Sequence, residues 1–133
     1  MTGIRPIVLD AGSLISAESR SRVIWTVYDE SLSTGQELVV TTPVLAQVWR
    51  DGRKQAVISR FLNRCVIDAP SERAAKRAGE LLGRTGTSDA VDALVVATAV
   101  ERGATMILTT DPNDLKALVE ATGVRIPPLV RKV

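Results

Sequence analysis

Short apolar runs alternate with longer stretches of mixed polarity from one end of the chain to the other. Ile4 to Leu9 is apolar apart from Arg5 and ends in Asp10-Ala11-Gly12, the form of a buried parallel strand with a carboxylate at its carboxyl end. Glu37 to Thr41, Cys65 to Ala69, Thr105 to Leu108 and Val124 to Ile126 predict further strands, and Pro70 closes the third of the five. Helices are predicted between them. Arg20 to Ser33 brings Val23, Ile24, Val27 and Leu32 near one face and stops at Thr34-Gly35. Thr42-Pro43 reads as an N-cap followed by proline at the first helical position, starting a helix over Val44 to Arg50 that ends near Gly52. Another is expected over Arg53 to Asn63. Ser71 with Glu72 just inside opens the next, which Gly83 to Gly86 ends. Asp89 to Arg102, with Thr87 or Ser88 as cap, is small and apolar almost all round, which suits a helix in the interior. Asn113 to Ala121 is the last helix.

Strands that alternate with crossover helices imply a parallel sheet covered on both faces. The fold expected is α/β, a three-layer α/β/α sandwich around a central parallel sheet of four to five strands. At 133 residues, one domain spanning 1–133 is the natural size. Hydrophobic residues at 45% and charged residues at 24% fit a folded globular chain rather than a disordered or fibrous one. No apolar run approaches the roughly 18 to 20 residues that cross a bilayer, and the opening Met1 to Pro6 has no long apolar leader. A cytoplasmic location with no membrane partner is the expectation. Cys65 is the only cysteine, so no internal disulfide or cysteine-rich zinc site exists, and a buried strand residue is the expected role.

Histidine is absent. Imidazole acid–base catalysis, Ser-His-Asp triads and His-ligated zinc are excluded, and any chemistry must rest on carboxylates, Lys, Arg, Ser, Thr or Tyr. The 17 Lys and Arg against 15 Asp and Glu leave a net charge of only +2. Their order says more. Arg50, Arg53, Lys54, Arg60 and Arg64 crowd one stretch and Arg73, Lys76, Arg77 and Arg84 another, while Asp89, Asp92, Asp111 and Asp114 collect later. An acidic focus flanked by basic helices can hold phosphate beside a metal, although an arginine-bearing helix face is also simply a solvated one.

Open parallel sheets place ligand sites beyond the carboxyl ends of their strands. Asp10 follows the first strand and Asp111 the fourth, so both should face one crevice, and Asp89 and Asp92, three apart, should share a helix face. Two unit charges ~4 Å apart repel by roughly 4 kcal/mol at an effective dielectric near 20. Clustered carboxylates therefore call for a cation, and oxygen ligands without imidazole or thiolate select Mg2+ or Mn2+ over zinc. Structural roles stay open for each acid: Asp111 before Pro112 suits a turn, and Asp89 suits the first turn of a helix. Asp92 is the hardest to place structurally, because Ala93-Leu94-Val95-Val96-Ala97 follows and a charge on a buried helix needs a partner.

Ile7-Val8-Leu9-Asp10-Ala11 resembles the opening strand and first acid of PIN domains. Asp92-Ala93-Leu94-Val95-Val96-Ala97-Thr98-Ala99 is similar to their most recognisable helix, and Leu108-Thr109-Thr110-Asp111-Pro112-Asn113-Asp114-Leu115 to the strand and turn bearing their last acid. The pattern is close to that of VapC toxins of prokaryotic toxin–antitoxin pairs and covers essentially the whole chain. The resemblance implies a Mg2+- or Mn2+-dependent endoribonuclease in which a metal-activated water cleaves RNA phosphodiesters. It also implies a homodimer and a cognate antitoxin, with structured RNAs such as tRNA as candidate substrates. Carried across, Asp10, Asp92 and Asp111 become catalytic metal ligands, with Asp89 an auxiliary acid. Thr109 becomes the hydroxyl near the last acid, and Asp114 a helix-capping or hydrogen-bonding residue. Where the family usually carries a glutamate, this chain has Gln47, which keeps a carbonyl oxygen but loses the charge. Asp51, one turn on, is the second choice for that role. Arg50 or Arg53 are candidates to grip an RNA backbone.

Two other function classes compete. A PIN-like domain weakened by Gln47 would bind RNA or a protein without cutting, though 3% aromatic residues argue against a base-stacking platform. Phosphoryl transfer through an aspartyl intermediate at Asp10 wants a second acid two residues on, where this chain has Gly12.

Overall fold

The computed structural model describes residues 3–133; Met1 and Thr2, part of the opening read above for a leader, lie outside it. Five parallel strands, β1 (Ile7–Leu9), β2 (Leu38–Thr41), β3 (Val66–Asp68), β4 (Met106–Thr109) and β5 (Leu129–Lys132), form one sheet in the order β3-β2-β1-β4-β5. β1 is central, with Val8 opposite Val39 on one side and Ile107 on the other. Its three residues are all buried, which is why it reads as an unbroken apolar run. The strand is shorter than predicted: Ile4 is exposed, and pairing begins at Ile7, whose amide donates to Glu37 O at 2.9 Å.

Seven helices cover the sheet: α1 (Ala11–Glu18), α2 (Arg22–Thr34), α3 (Thr42–Val48), α4 (Ala56–Leu62), α5 (Glu72–Thr85), α6 (Ala90–Glu101) and α7 (Pro112–Ala121). α6 lies against β1, β2 and β4 and packs with α5 and α7, whereas α1 gathers α2, α3 and α4 around it. The result is the expected three-layer α/β/α sandwich. Leu9, Leu14, Ile24, Leu38, Ile58, Phe61, Leu81, Ile107 and Leu115 are fully buried in a continuous core, each burial stabilising the fold by about 1.5–3 kcal/mol. Phe61 stacks edge-on to Trp25 with ring centroids 5.2 Å apart, and Arg60 lies over the same indole, which joins α4 to α2.

Several elements depart from the sequence expectation. α1 was not predicted: Gly12, Ser13 and Ser16 are weak helix formers, and only Leu14 and Ala17 mark a buried apolar stripe. The last strand is Leu129–Lys132, not Val124 to Ile126. Pro127 and Pro128 intervene, and β5 is an edge strand with little buried surface, so hydrophobicity does not mark it. The stretch 53–63 divides into a short 3₁₀ turn, Gly52–Lys54, and α4. The caps shift by a residue or two: Thr41 rather than Thr42 caps α3, and Asp89 rather than Thr87 or Ser88 caps α6. Cys65 is a half-buried bend residue just before β3 rather than a buried strand residue. Among the described residues, no helix is long and apolar enough to cross a membrane.

Candidate metal centre

β1 runs into α1 without a loop, and Asp10 is the junction. Its backbone stays extended while its carboxylate caps the helix, with Oδ1 accepting from Ser13 N at 2.9 Å. Its own amide donates to Leu108 O of β4 at 3.2 Å. Asp10 is thus buried and held by β1, α1 and β4 together. Gly12 allows this approach, because a Cβ there would collide with the Thr110 hydroxyl on the turn after β4.

Asp89 plays the matching part for α6, its Oδ1 accepting from Asp92 N at 3.0 Å. Asp92 lies in the first turn, half-buried, with its carboxyl pushed up to about 7. Burial is the main cause; the charges of Asp89, Asp10 and Asp114 follow in that order, and Asp89 also favours the protonated form as a hydrogen-bond acceptor. Carboxylates from the end of β1, the start of α6 and the first turn of α7 therefore act on one another.

The turn after β4 is organised by buried Thr109, whose Oγ1 accepts from Asp111 N at 3.0 Å. Asp111 is exposed and stands at the N-cap of α7, with Pro112 at N1 and no side-chain capping bond. Asp114, read from the sequence as a capping residue, makes no such bond; it is the acid of this segment whose charge bears on Asp92. Gln47 lies on the exposed side of α3, which packs against α6, and its amide has no hydrogen-bond partner among the described residues. Asp51 is engaged elsewhere: it caps the 3₁₀ turn through Arg53 N at 3.1 Å and pairs with the Arg53 guanidinium at 3.4 Å.

Two buried polar residues, one beside Asp10 and one after α3, escape the sequence reading. Ser13 is fully buried, and its hydroxyl donates to Leu108 O at 2.6 Å. An aspartate three residues before a serine at a strand end could have flagged the cap. Gln55 is buried after the 3₁₀ turn, where Oε1 accepts from Arg50 N and Asp51 N and Nε2 donates to Val48 O. Nothing in the pattern around it announces this.

The donor set is oxygen alone. The single thiol, Cys65, is pushed up to about 12 by burial despite the Arg64 charge beside it, and its Sγ donates to Phe61 O. Among the described residues, no three Asp, Glu or Cys side chains stand close enough together to hold a metal ion as they are. One oxygen each of Asp10 and Asp89 is turned to a backbone amide, which leaves the other oxygen of Asp10 without a partner among the described residues, while the Asp89 carboxylate also faces that of Asp92. The basic stretch is not one open face: Arg60 covers Trp25, and Arg64 donates to Ser31 O at 2.7 Å. An apolar groove of about 530 Å³, lined by Leu45, Trp49, Leu62 and Ile67, involves none of the acids.

The PIN-domain family model matches residues 7–120. Among solved structures, the chain is similar to one in VapBC2 from Rickettsia felis bound to a DNA fragment from their promoter. The two are 18% identical with a TM-score of 0.71, covering 96% of this chain and 98% of that one. It is also similar to a chain of DNA-bound VapBC from Salmonella typhimurium, at 17% identity and a TM-score of 0.66 over 97% and 98% of the two chains. Compared with curated proteins, the sequence matches none. The parallel sheet, the acids at the ends of β1 and β4 and the buried helix behind Asp92 agree with a match over most of the length, and the chain belongs to the PIN-domain family.

Proposed function

We propose that the chain is a Mg2+- or Mn2+-dependent endoribonuclease and the toxin of a type II toxin–antitoxin pair. Metal-dependent nuclease activity is general for PIN domains. One observation supports the proposal above the others: three carboxylates from separate segments, Asp89, Asp10 and Asp114, load their charge onto half-buried Asp92. A folded chain that gathers like charges at a partly desolvated point gains most from a cation there.

In this proposal Asp10 and Asp92 hold the cation, with Asp89 beside them and Asp111 and Asp114 contributing from the β4–α7 segment. When bound, the cation neutralises the cluster, polarises a phosphoryl oxygen and lowers the pKa of water. The chain supplies the rest. Asp10 and Asp89 are oriented by their bonds to Ser13 N and Asp92 N, Gln47 would offer a neutral carbonyl oxygen from α3, and Arg50 and Arg53 would meet a phosphate backbone on leaving their present partners, the Ala46 and Trp49 carbonyls and Asp51. An antitoxin as cognate partner draws on the likeness to VapBC complexes; a homodimer as the assembly and the cytoplasm as the location are proposed with it from the resemblance to VapC toxins.

The test is cleavage of a structured RNA such as tRNA by the purified chain in Mn2+, abolished by EDTA and by Asp92→Ala. Cleavage that survives both treatments overturns the proposal. A second reading, a domain that binds RNA or protein without cutting, is favoured by Gln47. Failure to bind Mn2+ at millimolar concentration would select it.

A further inference from the structure

β1 and β4 are neighbours in the sheet, yet strand pairing alone does not fix the first turn of α1 against the turn after β4. Ser13 links the two. Its amide holds Oδ1 of Asp10 at 2.9 Å, and its hydroxyl donates to Leu108 O at 2.6 Å. The next residue, Thr109, carries the oxygen that accepts from Asp111 N at 3.0 Å. A single path of short bonds therefore runs from the Asp10 carboxylate through Ser13 to the segment bearing Asp111 and Asp114. The Ser13 hydroxyl is not needed to satisfy Leu108 O, which already accepts from Asp10 N. Nor does packing ask for a hydroxyl at a fully buried position beside Leu14, where alanine would do.

We propose that Ser13 is a positioning residue of the metal centre, latching α1 to the end of β4 and so fixing how far the Asp10 carboxylate stands from the acids that follow β4. The proposal rests on the metal-centre reading above and assigns Ser13 no contact with the cation. Losing the hydroxyl leaves every backbone group paired, so Ser13→Ala should fold with a modest stability loss while the carboxylates lose their mutual setting.

The experiment is a Mn2+ titration of the full chain, followed by electron paramagnetic resonance of the free ion, with urea midpoints measured in parallel. Ser31→Ala is the control, since Ser31 is equally buried and its hydroxyl donates to Tyr28 O at 2.7 Å, in α2. Ser13→Ala is expected to weaken Mn2+ binding about tenfold or more, the usual scale for residues that orient ligands. Ser13→Cys, a weaker donor of similar shape, falls between, and Ser31→Ala loses stability without losing affinity. Parent-like affinity in Ser13→Ala, or an equal loss in Ser31→Ala, overturns the latch and leaves the metal centre standing. A parent chain that binds no Mn2+ overturns the metal-centre reading, and the latch with it. If Ser13→Ala does not fold, Ser13→Cys is judged by the same criteria.

Discussion

The backbone amide of Asp92 donates to Oδ1 of Asp89 at 3.0 Å, so the bond that starts α6 also holds one carboxylate against another. Acids near a helix N-terminus are ordinarily stabilised by the capping amides and the helix dipole. Here burial of Asp92 and the additional charges of Asp10 and Asp114 outweigh that benefit, and its carboxyl rises to about 7. The capping geometry brings the acids together, and their repulsion is what a cation would relieve.

A pH dependence of stability follows. Between the ordinary aspartate value of 3.8 and the folded value of about 7, the folded chain keeps a proton on Asp92 that the unfolded chain has released. The folded state then binds more protons, so the contribution of Asp92 to stability falls as pH rises through that window and is lowest above it. The groups facing Asp92 that enforce this are Asp89, Asp10 and Asp114. In urea titrations without metal, Asp92→Asn should gain on the parent as pH rises from 4 to 8, and Mn2+ at pH 8 should stabilise the parent more than the variant. A gap between the two that stays flat with pH would contradict the proximity of these four acids.

Much of this geometry was legible in the sequence. Asp10 stands out in the sequence by its place at the carboxyl end of an apolar run, and Asp92 because a charge at the head of a buried helix needs a partner. α1 and β5 were not legible, because Gly12 and Ser13 hide the first and the edge position of Leu129–Lys132 hides the second. The distinction between Asp111 and Asp114 was out of reach for another reason. Both lie in a single turn-and-helix segment, and only the direction in which α7 leaves the sheet decides which carboxylate bears on Asp92.

Gln47 is the position where charge can be added without disturbing the fold. It is exposed on α3 and its amide holds nothing in place. Gln47→Glu should therefore leave the urea midpoint close to the parent's. If α3 faces the same cation as Asp10 and Asp92, it should raise Mn2+ affinity by on the order of tenfold, because added carboxylate charge tunes hard-cation sites. RNA cleavage should rise with it. Unchanged affinity would place Gln47 outside the metal's reach.

Gln55 holds the turn that follows α3 through backbone atoms. It satisfies Arg50 N at 2.8 Å, Asp51 N at 3.0 Å and Val48 O at 3.0 Å from a buried position. Gln55→Ala should cost about 3 kcal/mol, three bonds at roughly 1 kcal/mol each. Gln55→Glu should be worse near neutral pH, since it places a charge in the interior and turns the donor to Val48 O into an acceptor. Urea midpoints of the two variants check both the size and the order; equal stability of parent and alanine variant would remove Gln55 from this role.

Gly12 and Thr110 give a test whose sign, rather than size, carries the answer. Gly12 is the second residue of α1, where replacing glycine by alanine normally stabilises by up to about 1 kcal/mol, the helix-interior figure. Here the added Cβ would meet the Thr110 hydroxyl and come within 3.1 Å of its Cβ and 3.3 Å of its Cγ2. Rotating the exposed Thr110 side chain moves the hydroxyl but leaves its Cβ in place, so the turn after β4 must give way. Overpacking of this kind costs about 1–3 kcal/mol. Gly12→Ala alone should thus destabilise, whereas in a Thr110→Gly background the same change should become stabilising as helix propensity reasserts itself. The double-mutant cycle isolates the coupling. A stabilising Gly12→Ala in the otherwise unchanged chain would mean that α1 and the β4–α7 turn do not meet at this point, and the route by which Asp10 approaches the later acids would have to be redrawn.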